Sequence, residues 1–341
     1  MRAAVYYNNR DIRLEERSRP AIGAGELLVR IEASGICGSD LMEWYRVPKA
    51  PIVLGHEVAG VVEEVGQGVE GFAVGDRVVT THHVPCNTCR YCLTGRQSVC
   101  DTLKATHFDP GGFAEFVRLP ALNVDRGTFR LPDQVSFEEA TFVEPLACAV
   151  RAFRIAAFEP GQSVAVLGSG ISGVLFIQLA RALGAGPILA TDMSADRLAT
   201  ARRFGATAVL PAESDVAQGI RDANGGQLVE RVFVCTAALP AIRQALGCVD
   251  RGGTVMLYAP ADPGMELELP LLEVWANGTN IVHSYAGPPA DMQTALDLIA
   301  AGRVDVAGMV THRLPLAETQ KGFDLVLAGR GSLKVIVEPQ R

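Results

Sequence analysis

Aromatic side chains make up only 6% of this 341-residue chain, and its 31 Lys and Arg residues are outnumbered by 38 Asp and Glu. The formal net charge of −7 argues against a general affinity for nucleic acid or anionic membranes, which need clustered basic residues. No basic stripe with interleaved aromatics is present either. Long apolar runs are also missing. The longest nearly uncharged stretch, Ser163 to Ala180, only just reaches the lower limit for a membrane span and is broken by Gly168, Gly170 and Gly173. The N-terminal MRAAVYYNNRDIRLEE carries charged and polar residues where a signal peptide needs an apolar core, so a soluble, cytoplasmic protein is expected. The 35 glycines follow no three-residue period, which excludes collagen, and no internal repeat or low-complexity tract appears. What the chain does have is apolar content, 48% against 20% charged, enough for a sizeable core and for about two domains at this length.

The first third consists of short Val- and Ile-rich runs broken by Gly and Pro, such as ELLVRIEA (26–33), HEVAGVVEEVG (56–66) and DRVVTTHHV (76–84), the pattern of a compact β domain. The pattern changes near Leu131. Ser136 with Glu139 forms a capping box, and apolar residues then recur at helical spacing, predicting a helix over about 137–157. Strands and helices alternate afterwards. Strands are expected at 163–168, 187–192, 208–210, 231–236, 253–259 and 280–285, with helices at 171–184 and 194–205. Such alternation implies right-handed crossovers and an α/β fold with a six-stranded parallel sheet covered on both faces. A last helix is expected near 290–301, followed by a terminal strand KVIVEP.

Two kinds of site stand out. Gly168, Gly170 and Gly173 in VAVLGSGISG form a GxGxxG run that follows a strand and opens a helix. There the glycines permit a tight turn and close approach of the backbone, at Ile171 and Ser172, to a pyrophosphate. Asp192 ends the next strand, where a carboxylate accepts ribose hydroxyls and repels a 2′-phosphate, favouring NAD. Arg197, five residues on, is the competing signal for NADP, and a helix cap is the alternative role for Asp192. The second kind is metal chemistry. Cys86, Cys89, Cys92 and Cys100 read C-x2-C-x2-C-x7-C, which suits one closed, structural zinc. A zinc-ribbon nucleic-acid module, with Arg90 and Arg96 beside the cysteines, would show the same run, but the acidic balance of the chain opposes it. Cys37 in GICGSD, His56 and Glu57 in GHE, and Glu144 in VEPL offer ligands for a second zinc with an exchangeable position, although spacing alone also permits ordinary core or capping roles.

Taken together, GICGSD, GHEVAGVVEEVG, VGDRVV, the four cysteines, GGFAEF, VEPL and GSGISG resemble the zinc-dependent medium-chain dehydrogenase/reductase family, in order and essentially end to end. The VEPL segment is similar to the polyol (sorbitol) and threonine dehydrogenase branches. The resemblance implies a GroES-like catalytic domain from residues 1–150 and 287–341 around a Rossmann domain at 151–286. It implies two zinc ions per chain, with Cys37, His56, Glu57 and Glu144 at the catalytic one, the two glutamates being direct or exchanging ligands. Ser39 becomes the hydroxyl that passes on the substrate proton. The expected activity is hydride transfer between a secondary alcohol (a polyol, sugar-like or amino alcohol) and NAD, with a threonine 3-dehydrogenase-type reaction as the runner-up. A homo-oligomer, dimer or tetramer, is expected. Departures exist. HSYAGPPA holds no sorbitol-type Arg–Tyr pair, Met42 stands where some relatives place a relay histidine, and Ala237 and Ala259 replace common glycines.

Overall fold

The computed structural model describes residues 1–341, which gather into two compact units. One comprises Met1–Ala147, Ala286–Gly302 and Val306–Arg341, and the other Cys148–Tyr285 with Arg303–Asp305.

The first unit is built on strands whose apolar residues cannot all face water. Its main sheet has seven strands, in the order Val310–Pro315, Lys334–Glu338, Leu27–Gly35, Glu57–Val65, Arg77–Thr80 and Thr128–Arg130, with Phe116–Leu119 also pairing on Leu27–Gly35. Leu27, Val29, Ile31, Val58, Val62, Val78, Val117 and Leu119 are buried together on one core. A smaller antiparallel sheet joins Asp11–Glu16, Arg2–Asn8 and Ile52–Val53. Two pairings bring distant segments together. Gly35 lies opposite Glu57 in one antiparallel ladder and opposite Ile336 in another. The segments before position 35, after 57 and around 336 therefore meet at one place.

The second unit carries six parallel strands, ordered Ala208–Pro211, Ile188–Asp192, Val164–Leu167, Val229–Val234, Val249–Leu257 and Asn280–His283. The strands Val164–Leu167 and Ile188–Asp192 are buried along their whole length, as coverage on both faces requires, while the edge strands Ala208–Pro211 and Asn280–His283 are only partly covered. Helix Ile171–Ala182 packs Val174, Leu175, Phe176, Ile177 and Leu179 inward, and Phe176 meets Phe233 and Phe153 with ring centroids 5.0 and 5.6 Å away.

The long helix expected over 137–157 is two helices, Phe137–Ala140 and Val143–Ile155. The capping box at Ser136 and Glu139 is present. The break follows from Pro145. It has no N–H to donate to the carbonyl one turn back, so it sits in the first turn of a new helix, where that donor is not needed. The strand expectations hold to within a few residues. The last helix runs Pro289–Ala300 and the terminal strand Lys334–Glu338.

Gly173 shows how tightly the second unit is built. A Cβ there would stand 1.9 Å from the Gly168 carbonyl oxygen. Gly173→Ala must push the helix off its strand, and overpacking of this kind costs about 1–3 kcal/mol. A chemical-denaturation midpoint below wild type is the expected result.

Candidate active site

The sheet register brings the sequence motifs together. Cys37 follows the Leu27–Gly35 strand and caps the 3₁₀ turn Gly38–Leu41, while Glu57 opens the strand paired with it and His56 immediately precedes that strand. The ligand atoms of Cys37, His56 and Glu57 all lie within 4.8 Å of one another. Glu144, in the first turn of Val143–Ile155, is placed differently. Its carboxylate groups with His82 and His83, again within 4.8 Å. The two sets are neighbours, since the His56 and His82 ring centroids are 4.9 Å apart and those of His82 and His83 are 3.6 Å apart.

Behind these ligands lie groups not singled out from the sequence. Asp40 is fully buried. It accepts a hydrogen bond from the Cys37 backbone N–H at 3.1 Å, and its Oδ1 lies 3.3 Å from His56 Nδ1. A carboxylate on Nδ1 fixes the ring and leaves Nε2 for a metal, the arrangement that orients metal-ligating histidines. Burial opposes a charge on His56, but Asp40 and Cys37 outweigh it and hold the imidazole well above its ordinary pKa. The neighbouring histidines behave oppositely. Burial, then His83 and His56, push His82 well below the ordinary imidazole value, and burial takes His83 to about 3. Arg46 reaches Ser39 from the side, donating from Nη2 to Ser39 Oγ at 3.2 Å and from Nε to the Ser39 carbonyl at 3.0 Å. Lys334, from the terminal strand, forms a buried ion pair with Glu57 Oε2. Asp40 is visible inside GICGSD, and the paired histidines precede the four-cysteine run. Arg46 and Lys334 carry no local signal.

The cysteine lobe fits its expected metal. The Sγ atoms of Cys86 and Cys92 are 3.9 Å apart, those of Cys89 and Cys92 3.5 Å, and those of Cys100 and Cys86 3.6 Å. Thiolates about 2.3 Å from a tetrahedral zinc lie roughly 3.8 Å from one another. The Thr88 hydroxyl, with the backbone N–H groups of Thr88 and Cys89, brings the Cys86 thiol down to about 5, while burial and the neighbouring thiols push Cys92 up to about 12.

In the second unit, Gly168 turns at φ +96, Gly170 caps the helix opened by Ile171 and Ser172, and only the Arg197 guanidinium comes within 4 Å of a Cβ added at Gly170. Open space beside a helix N-terminus is what a pyrophosphate needs. Asp192 does more than wait for a ribose. Its Oδ2 accepts from the Ser169 backbone N–H and its Oδ1 from the Ser194 backbone N–H, each at 2.9 Å, so it also shapes the glycine turn. Arg197 lies 3.8 Å from Asp192 Oδ2.

Comparison with known proteins agrees with this geometry. Residues 23–133 match the alcohol dehydrogenase GroES-like domain, and residues 172–301 match the zinc-binding dehydrogenase family. The chain is 34% identical to an alcohol dehydrogenase from Geobacillus stearothermophilus over 99% of both chains. It is 31% identical to the sorbitol dehydrogenase of Bacillus subtilis, covering 100% of this chain and 98% of that one. A zinc-binding dehydrogenase structure from Sinorhizobium meliloti 1021, bound to NADP, superposes with a TM-score of 0.90 at 28% identity over 99% of each chain. No helix is long and apolar enough to cross a membrane. Three groups of side chains able to hold a metal ion, a glycine-rich turn of the dinucleotide-binding pattern and full-length similarity together place this chain in the zinc-dependent medium-chain family of alcohol and polyol dehydrogenases.

Proposed function

We propose that this enzyme moves a hydride between a secondary alcohol of the polyol class and NAD, with Cys37, His56 and a glutamate holding the catalytic zinc. The observation that carries the reading is the convergence of Cys37, His56 and Glu57 with Asp40 placed behind His56. Zinc, when bound, supplies Lewis-acid polarisation of the substrate oxygen, and the nicotinamide supplies the redox chemistry. The protein does the rest. Asp40 sets the tautomer of His56, leaving Nε2 as the donor. The Ser39 hydroxyl takes the alcohol proton and releases its own. Arg46 orients that hydroxyl but has no acceptor, so it cannot take the proton onward, and Met42 cannot either. The proton therefore leaves Ser39 to water. Glu144, beside His82 and His83, is the carboxylate available for exchange. The Asp192 carboxylate ends the strand Ile188–Asp192, where it would accept ribose hydroxyls and repel a 2′-phosphate, which supports NAD.

Assembly and compartment belong to the same reading. Leu271, Leu272 and Trp275 are exposed on the helix Leu271–Asn277, the tryptophan by 81%, beside the edge strand Asn280–His283. Such a patch on a sheet edge supports a homo-oligomer. Five of the eight cysteines belong to the metal sets, a use of thiolates that supports a reducing compartment such as the cytoplasm.

Three experiments test this. Asp40→Asn removes the charge behind His56, and losing the group that orients a metal-ligating histidine lowers metal affinity or turnover about 10–100-fold. In the same series His56→Ala should abolish turnover while NADH binding, followed by fluorescence, persists. An active His56→Ala protein after chelation and repurification would overturn the zinc reading. Asp192→Ala should narrow the NAD preference by about tenfold, because one charged hydrogen-bond acceptor is lost and one repulsion relieved. A wild type equally efficient with NADP contradicts the role given to Asp192. Cys89→Ser should release one of two zinc ions per chain and lower the melting midpoint, since a closed thiolate site contributes folding energy directly. Metal analysis with unchanged zinc removes that assignment.

A further inference from the structure

Neither the hydride transfer nor the proton transfer uses Lys334. Its side chain is 0% exposed and that of Glu57 1%, and the two form an ion pair through Glu57 Oε2. The ammonium lies 3.5 Å from the Ile36 carbonyl and 5.4 Å from the centroid of the Phe142 ring. The space for this pair is provided by Gly35. A Cβ there would stand 2.2 Å from Glu57 Oε2 and 2.6 Å from Lys334 Nζ. The same carboxylate belongs to the Cys37–His56 set. One anion thus faces two cation positions, one filled by Lys334 and the other defined by Cys37 and His56.

We propose that Lys334 is a positioning residue that competes with the metal for Glu57, holding the carboxylate back so that a coordination position stays open to substrate. The proposal rests on the zinc reading of Cys37 and His56. In a low-dielectric interior a carboxylate needs a compensating cation, and whichever cation is present takes it. While Lys334 is there, Glu57 is neutralised without the metal. If the ammonium is removed, the metal becomes the nearest compensating charge, Glu57 moves onto it, and the site closes like a structural one. A lysine suits the task because its compact point charge takes one carboxylate oxygen without clamping both.

The test is a double-mutant cycle on the full-length enzyme carrying cobalt(II) in the catalytic site, with Lys334→Met, Glu57→Gln and the double variant. Two readouts are independent of turnover: the rate of metal release to a chelator, and the change in the cobalt visible spectrum on adding imidazole, which reports an open position. The expected result for Lys334→Met is release slowed about tenfold and imidazole bound about tenfold more weakly, the scale on which groups behind metal ligands act. Added to Lys334→Met, Glu57→Gln should undo the change in both readouts. Metal loss or unchanged imidazole binding in Lys334→Met shows a purely structural lysine and overturns the proposal. Where Lys334→Met does not fold, Lys334→Gln keeps a hydrogen-bond donor in the cavity and must shift both readouts the same way. Strong metal loss in Glu57→Gln alone also overturns the proposal, because Glu57 would then already be on the metal. A wild type that takes up metal only in the cysteine lobe would instead defeat the zinc reading itself.

Discussion

The register of one antiparallel ladder governs the catalytic unit. Gly35 must lie opposite Glu57, because that pairing places Cys37, just beyond one strand end, next to His56, just before the other. The same glycine pairs with Ile336 on its other side and brings in Lys334. A slip of one residue would turn Glu57 away from this face, since side chains alternate along a strand. A side chain at Gly35 would need the space that the carboxylate and ammonium occupy, so a substitution there must displace the ion pair. Backbone hydrogen bonding, not side-chain chemistry, thus decides whether a metal set exists.

Around that register the charges are arranged in layers. Asp40 offsets His56 and lies 3.5 Å from Arg46, which in turn touches Ser39. Lys334 offsets Glu57. The buried histidines 82 and 83, both shifted toward neutrality, add ligand atoms without adding charge. Asp40 with His56 and Arg46, and Glu57 with Lys334, are thus each paired with a group of opposite charge, which a buried charge requires. The cysteine lobe solves a different problem with the same chemistry. Its four sulfurs face inward on one another, and the Arg126 guanidinium ties the lobe down by donating to the Cys86 carbonyl at 2.7 Å.

Local signals are legible where they are strong. Ser136 and Glu139 announce a cap, the cysteine spacing announces a metal lobe, and the glycines after SVAVL announce a dinucleotide turn. The parallel sheet of the second unit follows from its alternation. Less legible is anything decided by a partner far along the chain. Glu57 reads as a metal ligand in GHE, but its ion pair comes from a strand whose sequence, KVIVEP, looks merely apolar. Glu144 reads as a fourth ligand in VEPL, yet its helix starts at Val143 because of Pro145, and the carboxylate comes to rest with His82 and His83. The paired histidines escape a reading by pattern because two adjacent imidazoles in a loop have no helical or strand period to expose them. Asp192 signals its ribose chemistry by its place at a strand end, while its hold on Ser169 depends on a turn 23 residues earlier.

The Glu57–Lys334 pair also has a consequence in time. Its members are 277 residues apart in the chain. At about 5–20 residues per second of synthesis, the carboxylate exists for roughly 15–55 s before its ammonium is made. Glu57 has no lysine partner until Lys334 has been added, so the buried pair closes late in synthesis and ties the second half of the chain to the first.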